Sequence, residues 1–238
     1  MVGDLLFLDL GNSRLKYYWR GEFGILESLP ELKAFIKSYQ PGNVVYSSVS
    51  SLEADLVSLL MHFQISYFKA EVKNGFFGLN LAYSDISKLG VDRWLAMLAV
   101  VVDYQPQPVT VVNAGTALTI DCIDQDKVHL GGSISPGYML SAKALHNNTA
   151  QLPDISHEPS GGLGTDTTSC MNYGIVQSMV SLVEATAANF NPNGIIVIGG
   201  GDAEFLASQM RYDVIVIPEL VLRGLKVFYQ QSVKRGVE

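Results

Sequence analysis

The sequence predicts an α/β protein made of two related halves, and three observations carry that expectation. Apolar runs of strand length alternate with longer stretches of helical periodicity along the whole chain. Hydrophobic residues make up 48% of the 238 positions, charged residues only 16%, and there are 22 glycines. That composition suits a compact α/β protein with tight turns rather than a disordered or fibrous chain. Finally, Asp9-Leu10-Gly11-Asn12 is echoed 104 positions later (from 9 to 113) by Asn113-Ala114-Gly115-Thr116, each quartet lying between two apolar strands. Short echoes also arise by chance, so duplication and coincidence both stand at this point.

Taken in order, Leu5–Leu10 reads as a buried strand, Gly11-Asn12-Ser13 as a turn, and Leu15–Trp19 as the returning strand of a hairpin. Pro30–Tyr39 has a helix-start proline and apolar Leu32, Phe35 and Ile36. Val44–Ser48 is a short strand; Leu52, Leu56, Leu59 and Leu60 mark a helix face with Ser51 as the expected cap. Residues 74–88 lack clean periodicity and read as a loop over a site. A helix runs from Asp92 to about Tyr104, and Gln105-Pro106-Gln107-Pro108 ends it. That segment is the expected boundary between domains 1–108 and 109–238.

The second half opens with Val109–Val112, the turn Asn113–Thr116 and the strand Leu118–Ile123. A strand at Leu130–Ser135, a helix from Pro136 toward His146, a loop over 151–165 and a long helix from Asp166 to Asn189 follow. Ile195–Ile198 is a buried strand running into Gly199-Gly200-Gly201-Asp202 and a short helix. Val214–Ile217 and a helix from Pro218 to about Val233 complete the chain.

Several function classes are disfavoured. The longest apolar run, Leu95–Val102, falls well short of the ~18–20 residues of a membrane span. No export signal is recognisable, and Cys122 and Cys170 lack metal-type spacing; free, reduced cysteines and a cytoplasmic location are expected. A formal charge of −7 argues against a nucleic-acid surface, although a local basic pocket for an anion stays open. The four histidines have no metal-ligand spacing, and neither G-x-S-x-G nor a Walker-type phosphate loop is present.

What remains points to phosphate chemistry. At the first turn the backbone N–H groups of Gly11, Asn12 and Ser13 could approach phosphate oxygens, Asp9 could hold Mg²⁺, and Lys16 could reach a phosphate. The plainer alternative is a β-turn whose amides Asp9 satisfies. Gly115-Thr116 offers a second close backbone approach with a hydroxyl, and Asp121 lies further along the returning strand. Two such turns gripping one polyphosphate would meet the needs of phosphoryl transfer. Gly199–Asp202 could admit adenine or a phosphate, or could simply be a strand-to-helix turn capped by Asp202. In Gly90-Val91-Asp92-Arg93, Asp92 could accept a proton from an attacking hydroxyl and Arg93 could orient an acidic group; otherwise Asp92 is an N-cap and Arg93 is solvated.

Together these segments resemble the type III pantothenate kinases of the acetate and sugar kinase/actin superfamily. The resemblance is spread over LFLDLGNSRLK, GVDRW, VVNAGTALTID, GGSISPGYMLSAKAL, TDTTSCMNYGI and GGGDA, in that order. It implies duplicated ribonuclease H-like domains with an interdomain cleft, and ATP-dependent phosphorylation of the primary hydroxyl of pantothenate on the way to coenzyme A. Asp9, Leu10, Gly11, Asn12, Ser13, Arg14, Leu15 and Lys16, with Gly115 and Thr116, would meet the ATP phosphates. Tyr83, Gly90, Val91, Asp92, Arg93 and Thr167 would meet pantothenate, with Asp92 as the proton acceptor. The resemblance further implies a homodimer, Mg²⁺ at Asp9, and a monovalent cation, K⁺ or NH₄⁺. The family commonly has aspartate where this chain has Asn113, so the cation site is expected to be weak or absent. Two other readings keep the fold: a kinase or phosphatase for another small molecule, and an ATP-binding transcription-accessory protein.

Overall fold

The structure is a computed structural model that describes residues 4–11, 14–158 and 162–234. In chain order it contains β1 (Leu5–Leu10), β2 (Leu15–Trp19), β3 (Glu22–Leu26), α1 (Leu29–Tyr39), β4 (Asn43–Ser48), α2 (Glu53–His62) and β5 (Ser66–Lys69). A 3₁₀ turn (Ile86–Lys88) leads into α3 (Val91–Tyr104). Then come β6 (Val109–Ala114), β7 (Ala117–Ile123), β8 (His129–Pro136), α4 (Tyr138–Asn147), α5 (Thr167–Phe190), β9 (Ile195–Gly199), α6 (Ala203–Ser208), β10 (Ile215–Val216) and α7 (Leu220–Lys234).

The strands form two five-stranded sheets, ordered β3-β2-β1-β4-β5 and β8-β7-β6-β9-β10. In the first, β1 pairs antiparallel with β2 and parallel with β4, β2 pairs antiparallel with β3, and β4 pairs parallel with β5. In the second, β6 stands to β7 and β9 as β1 stands to β2 and β4, with β8 and β10 at the edges. A complete repeat of strand order and direction is not a coincidence of four residues. The halves are a duplication.

Two compact units result. One comprises Met1–Asn74, Tyr83–Ala99 and Val221–Glu238; the other comprises Gly75–Ala82 and Val100–Leu220. A single cut between 108 and 109 does not describe these units, because the chain changes unit within α3 and again near the start of α7. Residues 75–82 join the second unit through backbone bonds: Asn80 N–H donates to Lys127 and His129 N–H donates to Asn80.

In the first unit both faces of β1 are covered. Leu6, Leu8 and Leu10 pack with Leu32 and Ile36 of α1 and Leu56 and Leu60 of α2. Alternation sends Phe7 and Asp9 to the other face. There Phe7 meets Tyr229 of α7, Phe68 meets Phe228, and Phe228 meets Trp94 of α3 edge-on at 5.4 Å. Each leucine buried this way contributes about 1.5–3 kcal/mol, so this stack fixes where α3 begins. In the second unit, Val112, Ala114, Leu118 and Ile120 pack against Tyr138, Met179 and Val183. Helix α5 is started by a reciprocal capping box between Asp166 and Ser169. No helix among the described residues is long and apolar enough to cross a membrane.

Some local expectations need correction. Strands β3 and β5 are additional to those the sequence suggested. Both are short edge strands, and on β3 Phe23 and Ile25 face outward, so neither shows a buried apolar pattern. The cap of α2 is Leu52 with no side-chain bond, not Ser51. Asn113 belongs to β6 rather than to the turn, because pairing with β7 and β9 extends through it.

Candidate active site

In the first unit, Asp9 is the penultimate residue of β1 and is only 8% exposed. Its direct neighbours are set by register: Lys16 opposite on β2 and Ser47 opposite on β4. The Ser47 hydroxyl donates to Asp9 Oδ1 at 2.8 Å. Burial pushes the Asp9 carboxyl up to about 6 from 3.8; the Ser47 bond opposes this, repulsion from Asp92 adds to it, and Lys16 partly offsets it. Two carboxylates within electrostatic reach, one of them buried, form a site where a cation is worth having.

Asp92 stands in the first turn of α3, where its Oδ1 accepts from the Arg93 N–H at 2.9 Å. A Cβ on Gly90 would lie 2.5 Å from that oxygen, so a side chain at 90 would displace the carboxylate. Arg93 is not solvated. It is buried at 4% exposure, its guanidinium donates to the Tyr83 hydroxyl at 2.9 Å and lies 5.8 Å from that ring's centre. Tyr83 therefore positions Arg93. Beside Gly90 and Val91 opens a cleft of about 600 Å³ that also takes in Val49, Lys69 and Lys88. It lies at the carboxyl ends of β4 and β5, where α/β sheets bind their ligands.

The remaining residues proposed around the first turn divide by burial. Leu10 and Leu15 are core residues, so only their main chain can serve a ligand. Arg14 is exposed and pairs with Glu27 at 3.4 Å. Gly11 closes the turn with its N–H on the Arg14 carbonyl at 3.2 Å. Asn12 and Ser13 lie outside the described residues.

In the second unit the turn is Gly115-Thr116, with Gly115 N–H on the Ala117 carbonyl and Gly137 N–H on the Thr116 carbonyl. Thr116 is exposed and Asn113 half-buried. Asp121 does not belong to this turn: it is buried in β7, its carboxylate 2.9 Å from His129 Nε2. The glycine-rich segment after β9 serves two ends. Gly200 has φ +101°, and a Cβ there would collide with the Ala114 backbone, so the fold itself demands that glycine. At Gly115 and Gly201 a Cβ would meet no atom of the described residues within 4 Å, and neither has a positive φ. Among the described residues, packing and conformation leave these two glycines unexplained. Asp202 occupies the N-cap position of α6 without a capping bond, and faces His157 at 3.5 Å. Thr167 is exposed at the first position of α5.

Sequence reasoning missed Ser47. Its contact with Asp9 depends on the register of β4 against β1, for which local spacing gives no signal.

Two copies of this sheet in one chain, each with a glycine turn after its central strand, define the class of actin-like ATPases and sugar kinases. Solved structures agree on the fold. A protein from Campylobacter jejuni described as a conserved Baf family transcriptional activator superposes with TM-score 0.71 at 23% identity, covering 96% of this chain and 99% of that one. The (R)-2-hydroxyglutaryl-CoA dehydratase component A of Acidaminococcus fermentans gives 0.51 at 10% identity, covering 96% and 98%. Within the class, residues 5–189 match the family described as type III pantothenate kinase. Proteins of that description from Teredinibacter turnerae and Flavobacterium johnsoniae are 33% and 30% identical, the first covering 93% of this chain and 97% of its own, the second 96% and 98%. The chain belongs to the type III pantothenate kinase family.

Proposed function

We propose that the protein transfers the γ-phosphoryl group of ATP to the primary hydroxyl of pantothenate, giving 4′-phosphopantothenate and ADP on the route to coenzyme A. The observation that carries this reading is a cleft large enough for a small acid that opens at Gly90 and Val91, next in sequence to Asp92, with buried Asp9 near the end of β1 in the same unit. The alcohol oxygen forms the new bond to phosphorus, the bond from phosphorus to the β-phosphate oxygen breaks, and Asp92 accepts the hydroxyl proton. At a helix N-terminus Asp92 is a weak base, which a loose transition state tolerates. Arg93, oriented by Tyr83, offers its guanidinium to the acidic substrate. The candidate phosphate contacts are Gly11 and Lys16 in the first unit and Gly115 and Thr116 in the second.

The residues present fit Mg²⁺, because Asp9 supplies a hard carboxylate donor near the end of β1 and substrate phosphates would supply the remaining oxygens. When bound, that ion neutralises charge on the β- and γ-phosphates. Asn113 keeps a carbonyl oxygen but no charge, so we expect little use of K⁺ or NH₄⁺. A homodimer is supported by the apolar side chains that edge strand β8 and helix α4 leave exposed, Leu130, Ile134 and Leu140. Thr167 is a further proposed substrate contact, and a cytoplasmic setting follows from the metabolic role.

Incubating the pure protein with ATP, Mg²⁺ and pantothenate, followed by mass spectrometry, tests the reading directly. Formation of 4′-phosphopantothenate supports it. Phosphorylation of a different acceptor from a panel, or promoter binding without any transfer, would replace it.

A further inference from the structure

We infer that Ser47 is a positioning residue for the metal–nucleotide site, acting through the carboxylate of Asp9; this rests on the reading of Asp9 given above. Ser47 is completely buried on β4, in line with Val44, Val45 and Tyr46. A hydroxyl in such a place costs free energy unless it is hydrogen-bonded. Here it donates to Asp9 Oδ1 at 2.8 Å, across a parallel pair that places the two residues side by side. Fixing one oxygen of a carboxylate fixes the direction of the other, and a charge-assisted bond of this length does so firmly.

The duplication supplies the control. In the second sheet the residue paired with Asn113 on β9, where Ser47 pairs with Asp9 on β4, is Gly199. The half that lacks the carboxylate also lacks the hydroxyl. A Cβ at Gly199 would already press on Leu220, so that position is given over to packing. Were Ser47 present only to fill its strand, an alanine or valine would fill it at lower cost, since replacing a buried polar pair by apolar groups is often nearly neutral. A hydroxyl that accompanies the carboxylate is there for the carboxylate.

The test compares Ser47→Ala, Ser47→Thr and Asp9→Asn by binding of Mn²⁺ with ATP, followed by electron paramagnetic resonance, and by the Mg²⁺ dependence of turnover. Ser47→Ala is expected to weaken Mn²⁺·ATP binding about tenfold and to raise the Mg²⁺ needed for half-maximal rate similarly. The KM for pantothenate should stay within about twofold, and Ser47→Thr, which keeps the hydroxyl, should recover most of the loss. In an Asp9→Asn background Ser47→Ala should add nothing. Should alanine unfold the strand, Ser47→Cys, close in volume and a poor donor, repeats the comparison. A loss on Asp9→Asn with none on Ser47→Ala, or an equal loss in both backgrounds, overturns the role of Ser47 alone. Undiminished Mn²⁺·ATP binding by Asp9→Asn itself removes the reading of Asp9, and this proposal with it.

Discussion

The hairpins that β1 forms with β2 and β6 forms with β7 share topology and a glycine after the first strand, yet their chemistry differs. Asp9 is flanked by Lys16 on one neighbouring strand and Ser47 on the other; Asn113 is flanked by Thr119 and Gly199. The first half holds the charges and the hydrogen bond that aims one of them. The second holds neutral groups and two glycines, 115 and 201, at which a Cβ would meet no atom of the described residues. The two central strands thus end alike in topology and unlike in chemistry, one beside charged and hydrogen-bonding neighbours and the other beside neutral and small ones.

If that division is right, carboxylates in the first half should matter far more than the amide in the second. Asp9→Asn and Asp92→Asn are each expected to lower kcat by about 10²–10³-fold, the scale of a lost transition-state electrostatic or general-base contribution. Asn113→Ala should lower it less than about tenfold. For Asp92→Asn, ATP binding measured by calorimetry should be unchanged, because the role proposed for that residue is toward the acceptor alcohol. Similar losses at 9 and 113 would break the contrast.

Stability sharpens the same contrast from the other side. With its carboxyl raised to about 6 from 3.8, folded Asp9 holds its proton more tightly than the unfolded chain does. Its contribution is therefore fully present below pH 3.8 and is lost as pH rises through about 6. Metal-free Asp9→Asn, which cannot ionise, should be more stable than wild type above pH 6, by about 2–3 kcal/mol at pH 8. The two proteins should converge below about pH 4. Thermal melts across pH in the presence of a chelator measure this, and Asn113→Ala should show no such dependence. An enzyme less active but more stable at neutral pH would mark Asp9 as a functional strain.

The glycines test the second half. Because a Cβ at 115 or 201 would touch none of the described residues and neither has a positive φ, Gly115→Ala and Gly201→Ala should shift the melting point by no more than about 2 °C. A side chain there would instead meet the nucleotide, and the KM for ATP should rise about tenfold, on the scale of 1–3 kcal/mol for an overpacked contact. Gly200→Ala is the opposite case, with a collision against Ala114 and a positive φ; it should destabilise clearly whatever its effect on ATP.

Most of the fold was legible because its central strands are continuous apolar runs and its helices carry caps or prolines. Leu5–Leu10, Val109–Val112 and Ile195–Ile198 are legible as apolar runs, and the echo between 9–12 and 113–116 made duplication one of two readings before any strand order was known. The edge strands β3 and β5 are not legible in this way, since an edge strand need bury only part of one face. At the site, Asp9 and Asp92 were readable from their motifs, but the environment of each was not. That Arg93 is buried under Tyr83, that Asp121 is engaged with His129, and that Ser47 sits against Asp9 all depend on register between strands or on loop return. Local sequence spacing carries no information on any of these.

The smallest expected effect concerns the amide itself. Asn113 offers a carbonyl oxygen to a cation but lacks the full charge that would hold one; at short range and an intermediate dielectric a unit charge is worth about 4 kcal/mol, far more than a single amide dipole. Replacing K⁺ by Na⁺ or a bulky organic cation should therefore change the wild-type rate less than about twofold. Asn113→Asp restores the charge on the strand that mirrors β1, and with it a rate that rises with K⁺ concentration to saturation. Equal activation by K⁺ in the wild type and in Asn113→Asp would show that the second half binds its cation without the carboxylate. The divergence between the two turns would then lie in the metal at Asp9 alone.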